Sequence, residues 1–371
     1  MPCDSARGLQ REATHKRLNA RPVAIVGAGR VARAVHLPAW NRIKGARVVA
    51  VCDISSVTGR RLALDWGIPR AYTDFSEMLD AERDAIIDIC TPPSEHEYQS
   101  TTAMNRGHDV ILEKPMATNH TSARKIIETY ERMKSEVRLV LVHNFLFLND
   151  IQKVISLLRQ TRTEILTVDI HMLHTVSDEM ISNRDHWVHR LPAGRFGENL
   201  IHPIYVLRHL LGPLTIRDVY AAKRGPYEWI RNDEVHLALA SGDKYGRIHL
   251  SFNSPRWTAP FSMTVFCKEF ILSFDGSNHT IVRQGRLLEG YAPGLRQQQS
   301  KIIWDWVSQA GQILLSGPTL ALGRSRVFLG RHSGHENMFR RFIETDQVPY
   351  LPEEGYEATS TFLDALEILE S

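Results

Sequence analysis

The segment that most constrains the fold is Val23–His36, with the sequence VAIVGAGRVARAVH. An apolar, strand-like run enters a glycine-rich turn, and the residues that follow favour a helix. Gly27 allows a sharp turn, Gly29 allows close approach of the backbone, and Ala32 keeps the first helical turn near the sheet. Because the free N–H groups at the start of such a helix face an anion, the segment predicts a strand–turn–helix unit that holds a pyrophosphate.

A single match of this type also fits an incidental glycine turn. The next strand-like run, Val48–Cys52, is followed by Asp53, about twenty residues after the turn, as in dinucleotide-binding domains. A carboxylate there accepts hydrogen bonds from both ribose hydroxyls and repels a 2′-phosphate, so Asp53 favours NAD over NADP. The alternative is an ordinary strand-end or capping residue. NADP stays open, because four residues just beyond offer partners for a phosphate: Ser55, Ser56, Arg60 and Arg61.

Strand-like runs alternate with helix-length segments from Pro22 to about Asn144, which predicts parallel βαβ units in a doubly wound α/β sheet. Ligands bind such a sheet at the carboxyl ends of its strands. The expected strands are Val23–Val26, Val48–Cys52, Ala85–Cys90, Asp109–Leu112 and Leu139–His143. The expected helices are Gly59–Trp66, Phe75–Leu79, His96–Arg106 and Ser122–Met133.

After a helix at Asp150–Arg159 the pattern changes to longer alternating runs, which predict an α+β domain with an open antiparallel sheet. The expected strands are Glu164–Leu173, Ile216–Lys223, Glu234–Ala240, Arg247–Phe252, Ser262–Phe266 and Phe270–Phe274. Helical periodicity returns in Glu336–Glu344 and Glu357–Glu370.

At 371 residues the chain is too long for one typical core, so we expect two domains. Residues 1–20 are expected to be a disordered tail, 21–145 a dinucleotide-binding Rossmann domain, and 146–371 a substrate-binding and oligomerisation domain. Residues 289–334 receive no role, although a helical piece around Gln298–Leu315 carries an apolar stripe typical of a core or an oligomer contact: Ile302, Ile303, Trp306 and Ile313.

Composition excludes several classes of protein. The net charge is +3 and the basic residues are scattered, so no nucleic-acid surface is expected. No run reaches the roughly 18 apolar residues of a membrane span, and residues 1–20 lack the apolar core of a secretory signal. The four cysteines show no CxxC pairing and resemble reduced core residues. We therefore expect a cytoplasmic protein.

Two further motifs follow predicted strands and so face the same crevice. Thr91–Pro93 with His96 follows one strand, and Glu113–Pro115 follows the next. The positive charge of a bound nicotinamide and partial burial of the lysine would both lower the pKa of Lys114. The lysine could then polarise a substrate oxygen or relay a proton. Taken alone, each motif also fits a simple proline turn, a structural histidine or a solvated lysine.

Together these pieces form an ordered set. GAGRVARAVHLPAW, the strand end at Asp53, TPPSEH and LEKP resemble the Gfo/Idh/MocA family of nicotinamide-dependent oxidoreductases. GHENMFRRFIE and LPEEGYEATSTFLDALEI resemble its closing helices, so the resemblance omits only the tail and residues 289–334. It implies a Rossmann domain followed by an open antiparallel sheet. It also implies hydride transfer between NAD(P) and a hydroxyl or keto carbon of a sugar, polyol or related compound. The assembly that it implies is a dimer or tetramer.

The resemblance further implies that Lys114 is the crevice lysine and His202 the catalytic histidine, since residues 197–205 stand where the family has a DxGxHxxD segment. Here Glu198 replaces the first aspartate, Leu200 the glycine and Tyr205 the second aspartate. Glu198 lies four residues before His202 and so could orient its imidazole on one helix face. Pro203 favours the first helical turn, however, which would make His202 a cap and leave Glu198 outside the helix.

Tyr205 is a second candidate proton donor, and the alternative for His202 is a structural histidine. For the substrate, Trp187 offers an apolar face to a sugar ring, and Arg190 or Arg195 could pair with a carboxylate or phosphate. A buried tryptophan and solvated arginines are the alternatives. His171 and His174 would point to opposite faces of a strand, so no metal site is expected.

The predicted catalytic residues are Lys114, His202 and Glu198, and the predicted substrate contacts are Lys114, Trp187, Arg190, His202 and Tyr205. The predicted cofactor contacts are Gly27, Gly29, Arg30, Val31, Ala32, Asp53, Thr91, Pro92, Pro93, His96, Glu113 and Lys114. The expected partner is a small molecule of carbohydrate type. Alternative functions are a catalytically silent NAD(P)-binding regulator, and a lyase or hydrolase that uses tightly bound NAD for transient oxidation.

Overall fold

The structure is a computed structural model that describes residues 20–254, 261–277, 279–285, 326–345 and 347–371. Residues 1–19 of the expected tail and the apolar stripe of Ile302, Ile303, Trp306 and Ile313 lie outside these ranges.

Six parallel strands form the first sheet, in the order β3-β2-β1-β4-β5-β6. This order reverses at β1, which pairs with both β2 and β4, and a doubly wound sheet places its ligand crevice at such a point. The strands are β1 Arg21–Val26, β2 Ala46–Cys52, β3 Arg70–Tyr72, β4 Ile86–Ile89, β5 Val110–Leu112 and β6 Leu139–Leu141. All five predicted strands are present. The strand β3 is additional, because the sequence Arg-Ala-Tyr of residues 70–72 forms no apolar run.

Helices follow the strands as the alternating pattern predicts. A π-helical turn, Ala32–His36, continues into Leu37–Asn41, and the further helices are Ser56–Trp66, Phe75–Ala81, His96–Asn105 and His120–Met133. Three of them begin at a side chain that accepts a hydrogen bond from the third residue after it: Ser55, Asp74 and Asn119. Such caps satisfy amide groups that a helix start leaves free, so short polar residues fix where these helices begin.

The second sheet has seven strands in the order β13-β12-β11-β7-β10-β9-β8. They are β7 Ile165–Thr175, β8 Thr215–Ala222, β9 Glu234–Ser241, β10 Lys244–Ser254, β11 Phe261–Cys267, β12 Phe270–Asp275 and β13 Thr280–Gly285. The predicted fold class is confirmed, with one refinement. The central pair β7–β10 is parallel, so the sheet is mixed, whereas every other neighbouring pair of its described strands is antiparallel.

One face of this sheet packs on the apolar helix Ile201–Leu211, which carries His202. The other helices in this part of the chain are Asn149–Thr161, Glu179–Ser182 and Phe196–Asn199, with short 3₁₀ turns at Asn144–Phe147 and Trp187–Arg190. The helix Ile201–Leu211 lies so close to the sheet that Gly246 has no room for a side chain. An added Cβ at Gly246 would lie 2.4 Å from a methyl group of Leu207.

The chain divides into two compact units, and the division departs from the expected boundaries. The first unit comprises the described residues up to Phe147 together with His332–Ser360; the second comprises those of Leu148–Arg331 together with Thr361–Ser371. The helix Arg326–Glu344 thus belongs to the first unit from His332 onward, and there Phe339 stacks on Trp40 with ring centroids 4.4 Å apart. Helical periodicity reveals an apolar face but not the sheet that it covers, so the sequence could not assign this segment.

The last helix is Pro352–Glu370. Among the described residues, no helix combines the length and the apolar character needed to cross a bilayer.

Candidate functional site

The glycine turn after β1 needs glycine at Gly27 for two reasons. Its φ of +92° lies in the left-handed region, and an added Cβ would lie 3.1 Å from the backbone of Cys90 and from the side chain of Thr91. Gly29 differs, because an added Cβ there would meet nothing within 4 Å. The open side of Gly29 is therefore the surface on which a pyrophosphate can approach the backbone.

Arg30 and Val31 open the helix after the turn, and both are exposed. Ala32 is fully buried, as expected for the residue that packs the helix on the sheet. Its predicted place among the cofactor contacts is thus corrected to a packing role, since its side chain has no free surface. Arg33 donates its backbone N–H to the carbonyl of Gly29 at 3.1 Å, which joins the turn to the helix.

Asp53 lies beside the turn. Its Oδ2 accepts a hydrogen bond from the N–H of Ala28, and its Oδ1 accepts one from the N–H of Ser55, each at 2.8 Å. A carboxylate offers about four acceptor positions, so both oxygens can still accept bonds from ribose hydroxyls. The alternative reading of Asp53 as a capping residue is also partly realised, because the Ser55 bond shapes the start of the next helix.

A pocket of about 260 Å³ lies at the carboxyl ends of β2 and β3. It adjoins Asp53, whose backbone N–H donates to the carbonyl of Tyr72 at 3.1 Å. Its lining is polar and includes two arginines and one glutamate: Ser56, Arg60, Arg70, Ala71, Tyr72, Thr73 and Glu77. Two of the residues considered as phosphate partners, Ser56 and Arg60, thus face this pocket, whereas Arg61 lies 4.0 Å from the carboxylate of Asp65.

The loop Thr91–Pro93 follows β4, with Pro92 exposed and Pro93 buried. Behind it lies His96, fully buried, with Nε2 3.0 Å from the carbonyl oxygen of Thr91 and Nδ1 2.9 Å from that of Pro115. Burial lowers the pKa of His96, so its ring is neutral and donates from one nitrogen at a time. His96 was expected to contact the cofactor, and this is corrected: its ring has no free surface and instead joins the two loops.

Glu113 and Lys114 follow β5 and have different surroundings. Lys114 is half-buried, whereas Glu113 is buried and its Oε2 accepts a hydrogen bond from the backbone N–H of Lys114 at 2.9 Å. Only 6% of Glu113 is exposed, so little of its surface is left for the predicted contact with the cofactor. Its carboxylate lies behind the loop and fixes the backbone that carries Lys114.

Glu113 is held by a cluster of buried polar side chains. Nε2 of His36 lies 2.8 Å from Oε1 of Glu113, and Nδ1 of His36 lies 2.9 Å from Oδ2 of Asp88. The indole of Trp40 donates to Asp88 at 2.7 Å, and Nε2 of His335 lies 3.3 Å from Oε1 of Glu113. The cluster spans the sheet and the helix Arg326–Glu344, all within the first unit.

Opposite charges stabilise one another in this cluster. Burial by itself lowers the pKa of His36, but the negative charge and the hydrogen bond of Asp88, together with Cys90, outweigh burial and hold that pKa well above its usual value. Burial by itself raises the pKa of Glu113, but hydrogen bonds from His335 and His36 hold it well below its usual value. The cluster therefore contains a histidinium between carboxylates, which compensates charges that would otherwise be costly to bury.

Sequence reasoning did not find this cluster, although a signal was present. Asp88 interrupts the apolar strand Ile86–Ile89, whose four residues are all buried, and a buried carboxylate requires a partner. His36 similarly stands in the helix that follows the glycine turn. The partner in Arg326–Glu344 is distant in sequence, so only the tertiary structure joins them.

In the second unit, His202 is the second residue of the helix Ile201–Leu211, and Pro203 lies in its first turn. Nδ1 of His202 lies 2.8 Å from the hydroxyl of Tyr205. The expected effect of Pro203 is present, since Glu198 belongs to the preceding short helix Phe196–Asn199 and not to that of His202. The difference is that His202 lies inside the helix rather than at its cap.

Glu198 forms an ion pair with Arg195, which also lies 3.5 Å from Asp178. Tyr205 is completely buried and His202 is 5% exposed. The predicted direct contact of Tyr205 with substrate is corrected for this reason: its side chain has no free surface and acts on His202 through their hydrogen bond. Tyr205 is thus a partner that orients the imidazole, a task that we expected of Glu198.

The predicted substrate segment contains both free and paired groups. Trp187 is 42% exposed and Arg190 is exposed, so an apolar ring and a cation are available on the 3₁₀ turn Trp187–Arg190. Arg195 is buried in its ion pairs and so is not free to meet an anionic ligand. His171 and His174 lie on opposite faces of β7, as expected: His171 contacts His249, whereas the ring of His174 faces Phe252.

Comparison with known proteins gives the following matches. Residues 21–140 match the GFO_IDH_MocA model, described as an oxidoreductase family with an NAD-binding Rossmann fold. A D-apiose dehydrogenase of Paraburkholderia graminis is 36% identical over 136 residues, which are 37% of this chain and 36% of the relative. A D-glucoside 3-dehydrogenase of Escherichia coli is 30% identical over 123 residues, 33% of this chain and 35% of the relative. The chain thus matches about a third of the length of these two relatives.

Solved structures match over nearly the whole chain. One is the WlbA dehydrogenase of Bordetella pertussis in complex with NADH and UDP-GlcNAcA, with a TM-score of 0.73, 18% identity, and coverage of 94% of this chain and 96% of that one. Another is an oxidoreductase from Agrobacterium radiobacter in complex with NAD⁺, L-tartaric acid and magnesium, with a TM-score of 0.73, 15% identity and the same coverage. At these identities the matches establish the fold of both units.

Proposed function

We propose that this chain is an NAD-dependent dehydrogenase or reductase of the Gfo/Idh/MocA family that acts on a CH–OH group, because residues 21–140 match the NAD-binding Rossmann fold of that family. Its substrate is a sugar, a polyol or a related compound. Three relatives of the matched region support this substrate class by their names: a D-apiose, a D-glucoside 3- and an inositol 2-dehydrogenase.

The observation that carries the cofactor assignment is the bond between Asp53 and the glycine turn. Because Oδ2 of Asp53 accepts the N–H of Ala28 at 2.8 Å, the ribose-binding carboxylate and the open backbone at Gly29 belong to one rigid corner of the sheet. This corner suits a dinucleotide without a 2′-phosphate, since Asp53 repels that group. Arg60, in the adjoining pocket, acts in the opposite sense, so NADP is the cofactor to compare.

The residues that would hold the dinucleotide are those with free surface at this corner. They are Gly29, Arg30 and Val31 on the turn, Asp53, the exposed edge of Thr91 and Pro92, and Lys114. Gly27, Ala32, Pro93, His96 and Glu113 shape the corner from behind. When bound, the nicotinamide ring accepts or supplies the hydride.

In the proposed reaction the chain supplies proton transfer and positioning. His202 removes the proton of the substrate hydroxyl in the oxidative direction, with its ring oriented by the hydroxyl of Tyr205 at 2.8 Å. Lys114, held through its backbone by Glu113, polarises the substrate oxygen. Glu198 forms an ion pair with Arg195, so it influences the reaction only indirectly, through that arginine. Trp187 and Arg190 supply an apolar face and a cation for the substrate.

The test is a substrate screen with saturating NAD, and separately NADP, that follows the absorbance of the reduced nicotinamide. The panel contains branched and linear pentoses, glucosides, inositols, sugar acids and nucleotide sugars. We expect turnover with at least one class, with Lys114→Ala as the inactive control. Binding of the dinucleotide without turnover on any class would replace the proposal with the regulator suggested by the changes at Glu198, Leu200 and Tyr205. Substrate loss without net NADH would indicate internal redox chemistry of the lyase or hydrolase type.

The compartment and the assembly are also proposals. The three described cysteines, Cys52, Cys90 and Cys267, are free, which fits a reducing compartment such as the cytoplasm. A homo-oligomer, dimer or tetramer, is expected from the open seven-stranded sheet. Light scattering after size-exclusion chromatography tests the assembly, and a single monomeric species would contradict it.

A further inference from the structure

The side chain of Arg195 lies at the centre of a buried polar cluster in the second unit. Its guanidinium forms ion pairs with Glu198 and, at 3.5 Å, with Asp178. In the orientation of the Asn199 amide that matches donors with acceptors, the amide oxygen lies 3.1 Å and 3.2 Å from two nitrogens of Arg195. The amide nitrogen then donates to the carboxylate of Glu198 at 3.0 Å. Three side chains thus bind one buried cation.

The partners of Arg195 come from two different places in the chain. Glu198 and Asn199 belong to a short helix, and a single residue separates that helix from the helix that carries His202. Asp178 instead lies close to the end of β7. The guanidinium therefore joins the residues that follow β7 to the turn that immediately precedes His202.

A series of hydrogen bonds connects Asp178 to the residues proposed to contact substrate. Oδ1 of Asp178 caps the helix Glu179–Ser182 by accepting a backbone N–H at 3.0 Å, while Oδ2 faces the guanidinium. Directly after that helix, the carbonyl oxygen of Asn183 lies 3.1 Å from Nε2 of His189. His189 is part of the turn Trp187–Arg190. The ion pair at Asp178 therefore holds the base of the segment whose tip is that turn.

The chemistry of the guanidinium suits a positioning task. Burying charges costs free energy that their mutual attraction roughly offsets, so a buried ion pair adds little net stability, whereas removing one partner is costly. What such a pair can specify is one arrangement of its partners. A guanidinium has five N–H donors in fixed directions within a plane, so it can bind Glu198, Asn199 and Asp178 at once, which the single ammonium of a lysine cannot do in the same geometry.

We propose that Arg195 is a positioning residue that sets where Trp187 and Arg190 lie relative to the imidazole of His202. Its role rests on the proposed function, in which Trp187 and Arg190 contact the substrate and His202 moves the proton. Arg195 is itself 7% exposed, so it acts through its partners and not by touching substrate. The ring of His202 is oriented separately, by Tyr205 in the same helix. Loss of Arg195 therefore weakens substrate binding more than it slows the chemical step.

Hydrogen exchange of the full-length chain, followed by mass spectrometry, tests this arrangement without a substrate. In Arg195→Lys the amides of residues 179–191 should exchange about tenfold faster, the effect of losing one hydrogen bond to a charged group, while those of β9 and β10 stay unchanged. Asp178→Asn keeps a capping side chain but removes the charge, and should act alike. The double variant should add little, because both changes break one ion pair. The matched control is Arg247→Lys, which alters the pair with Asp169 in the same unit.

Initial rates with the substrate that the screen identifies test the consequence for binding. In Arg195→Lys and in Asp178→Asn, KM for that substrate should rise about tenfold, while kcat and the affinity for NAD stay within a few-fold. Arg247→Lys should change none of these. Exchange in residues 179–191 that is no faster than in β9 and β10, or faster exchange with an unchanged KM, would overturn the role of Arg195. A chain that turns over no substrate contradicts the proposed function, and the exchange rates alone then confirm or refute the arrangement.

Discussion

The imidazole of His36 lies 2.8 Å from the carboxylate of Glu113 within a buried cluster, and the other oxygen of Glu113 accepts the backbone N–H of Lys114. A histidine in the helix after the glycine turn is thus two hydrogen bonds away from the lysine proposed to act on substrate. The glycine turn and the Glu113–Pro115 motif are separate in sequence, but the same buried cluster supports both. Disturbing that support should alter both stability and the position of Lys114.

The first prediction concerns the dependence of stability on pH. The raised pKa of His36 means that its contribution is complete below its unfolded value of about 6.5 and is lost as the pH rises through the higher folded pKa. The lowered pKa of Glu113 means that its contribution is complete above its unfolded value of about 4.3 and is lost as the pH falls through the lower folded pKa.

Both contributions should therefore be complete between about pH 4.3 and pH 6.5, and the contribution of His36 should decline on the alkaline side. His36→Gln should destabilise the protein by about 3–5 kcal/mol, because it leaves buried carboxylates without their cation, and should remove that alkaline decline. Urea unfolding at a series of pH values measures both effects. An unchanged alkaline slope in the variant would show that His36 is not the group responsible.

Gly27 and Gly29 should separate folding from binding. Gly27→Ala should lower the free energy of unfolding by about 1–3 kcal/mol, since its φ of +92° and its contacts with Cys90 and Thr91 strain any side chain. Gly29→Ala meets no atom within 4 Å and should leave stability unchanged while weakening dinucleotide binding. Thermal unfolding and cofactor titration compare the two. If Gly29→Ala bound the dinucleotide normally, the pyrophosphate would not approach the turn at this residue.

Asp53 should determine the preference between cofactors. NAD should protect the protein against heat more than NADP, because the carboxylate of Asp53 repels a 2′-phosphate. Asp53→Asn keeps the size of the side chain and one of the two bonds from the N–H groups of Ala28 and Ser55, since its amide nitrogen cannot accept the other. It removes the charge, so it should narrow that difference. Arg61→Gln is the matched control, since its guanidinium reaches Asp65 instead. Equal protection of the unmodified chain by both cofactors would remove the argument from Asp53.

Lys114 should be needed for turnover and should contribute little to the affinity for the dinucleotide. Lys114→Ala should abolish measurable activity while the affinity for NAD stays within a few-fold, because Glu113 holds the backbone of residue 114 through its N–H whatever the side chain. Initial rates and fluorescence titration with NADH test the two halves of this statement. Lys125→Ala, which removes an exposed partner of Glu97, is the control. Undiminished turnover in Lys114→Ala would exclude the lysine from the chemistry.

Substitution of His202 should lower kcat much more than substitution of Tyr205. His202→Ala should lower kcat by about 10²–10⁴-fold, the usual contribution of a positioned acid or base. Tyr205→Phe removes one hydrogen bond, worth about 1 kcal/mol, so kcat should fall by about fivefold while KM changes little. Glu198→Gln should have the smaller effect of the two neighbours, because Glu198 pairs with Arg195. A larger loss in Glu198→Gln than in Tyr205→Phe would restore the carboxylate as the orienting group.

Local patterns in the sequence determined much of the fold. The apolar run before Gly27, the alternation of strands with helices and the capping residues Ser55, Asp74 and Asn119 are short-range features, so they place most strands of the two sheets and most of the helices. The same holds for the loops at the carboxyl ends of β4 and β5. Such features depend on neighbours within a few residues, which a sequence shows directly.

Only the tertiary structure decided which groups meet. It brought His335 to Glu113 across more than two hundred residues, gave His202 a tyrosine in place of the expected glutamate, and aligned His171 with His249 and His236 across three strands. Strand order, register and the packing of the helix Arg326–Glu344 fix these contacts. They depend on the whole set of buried surfaces at once, so no local pattern of residues contains them.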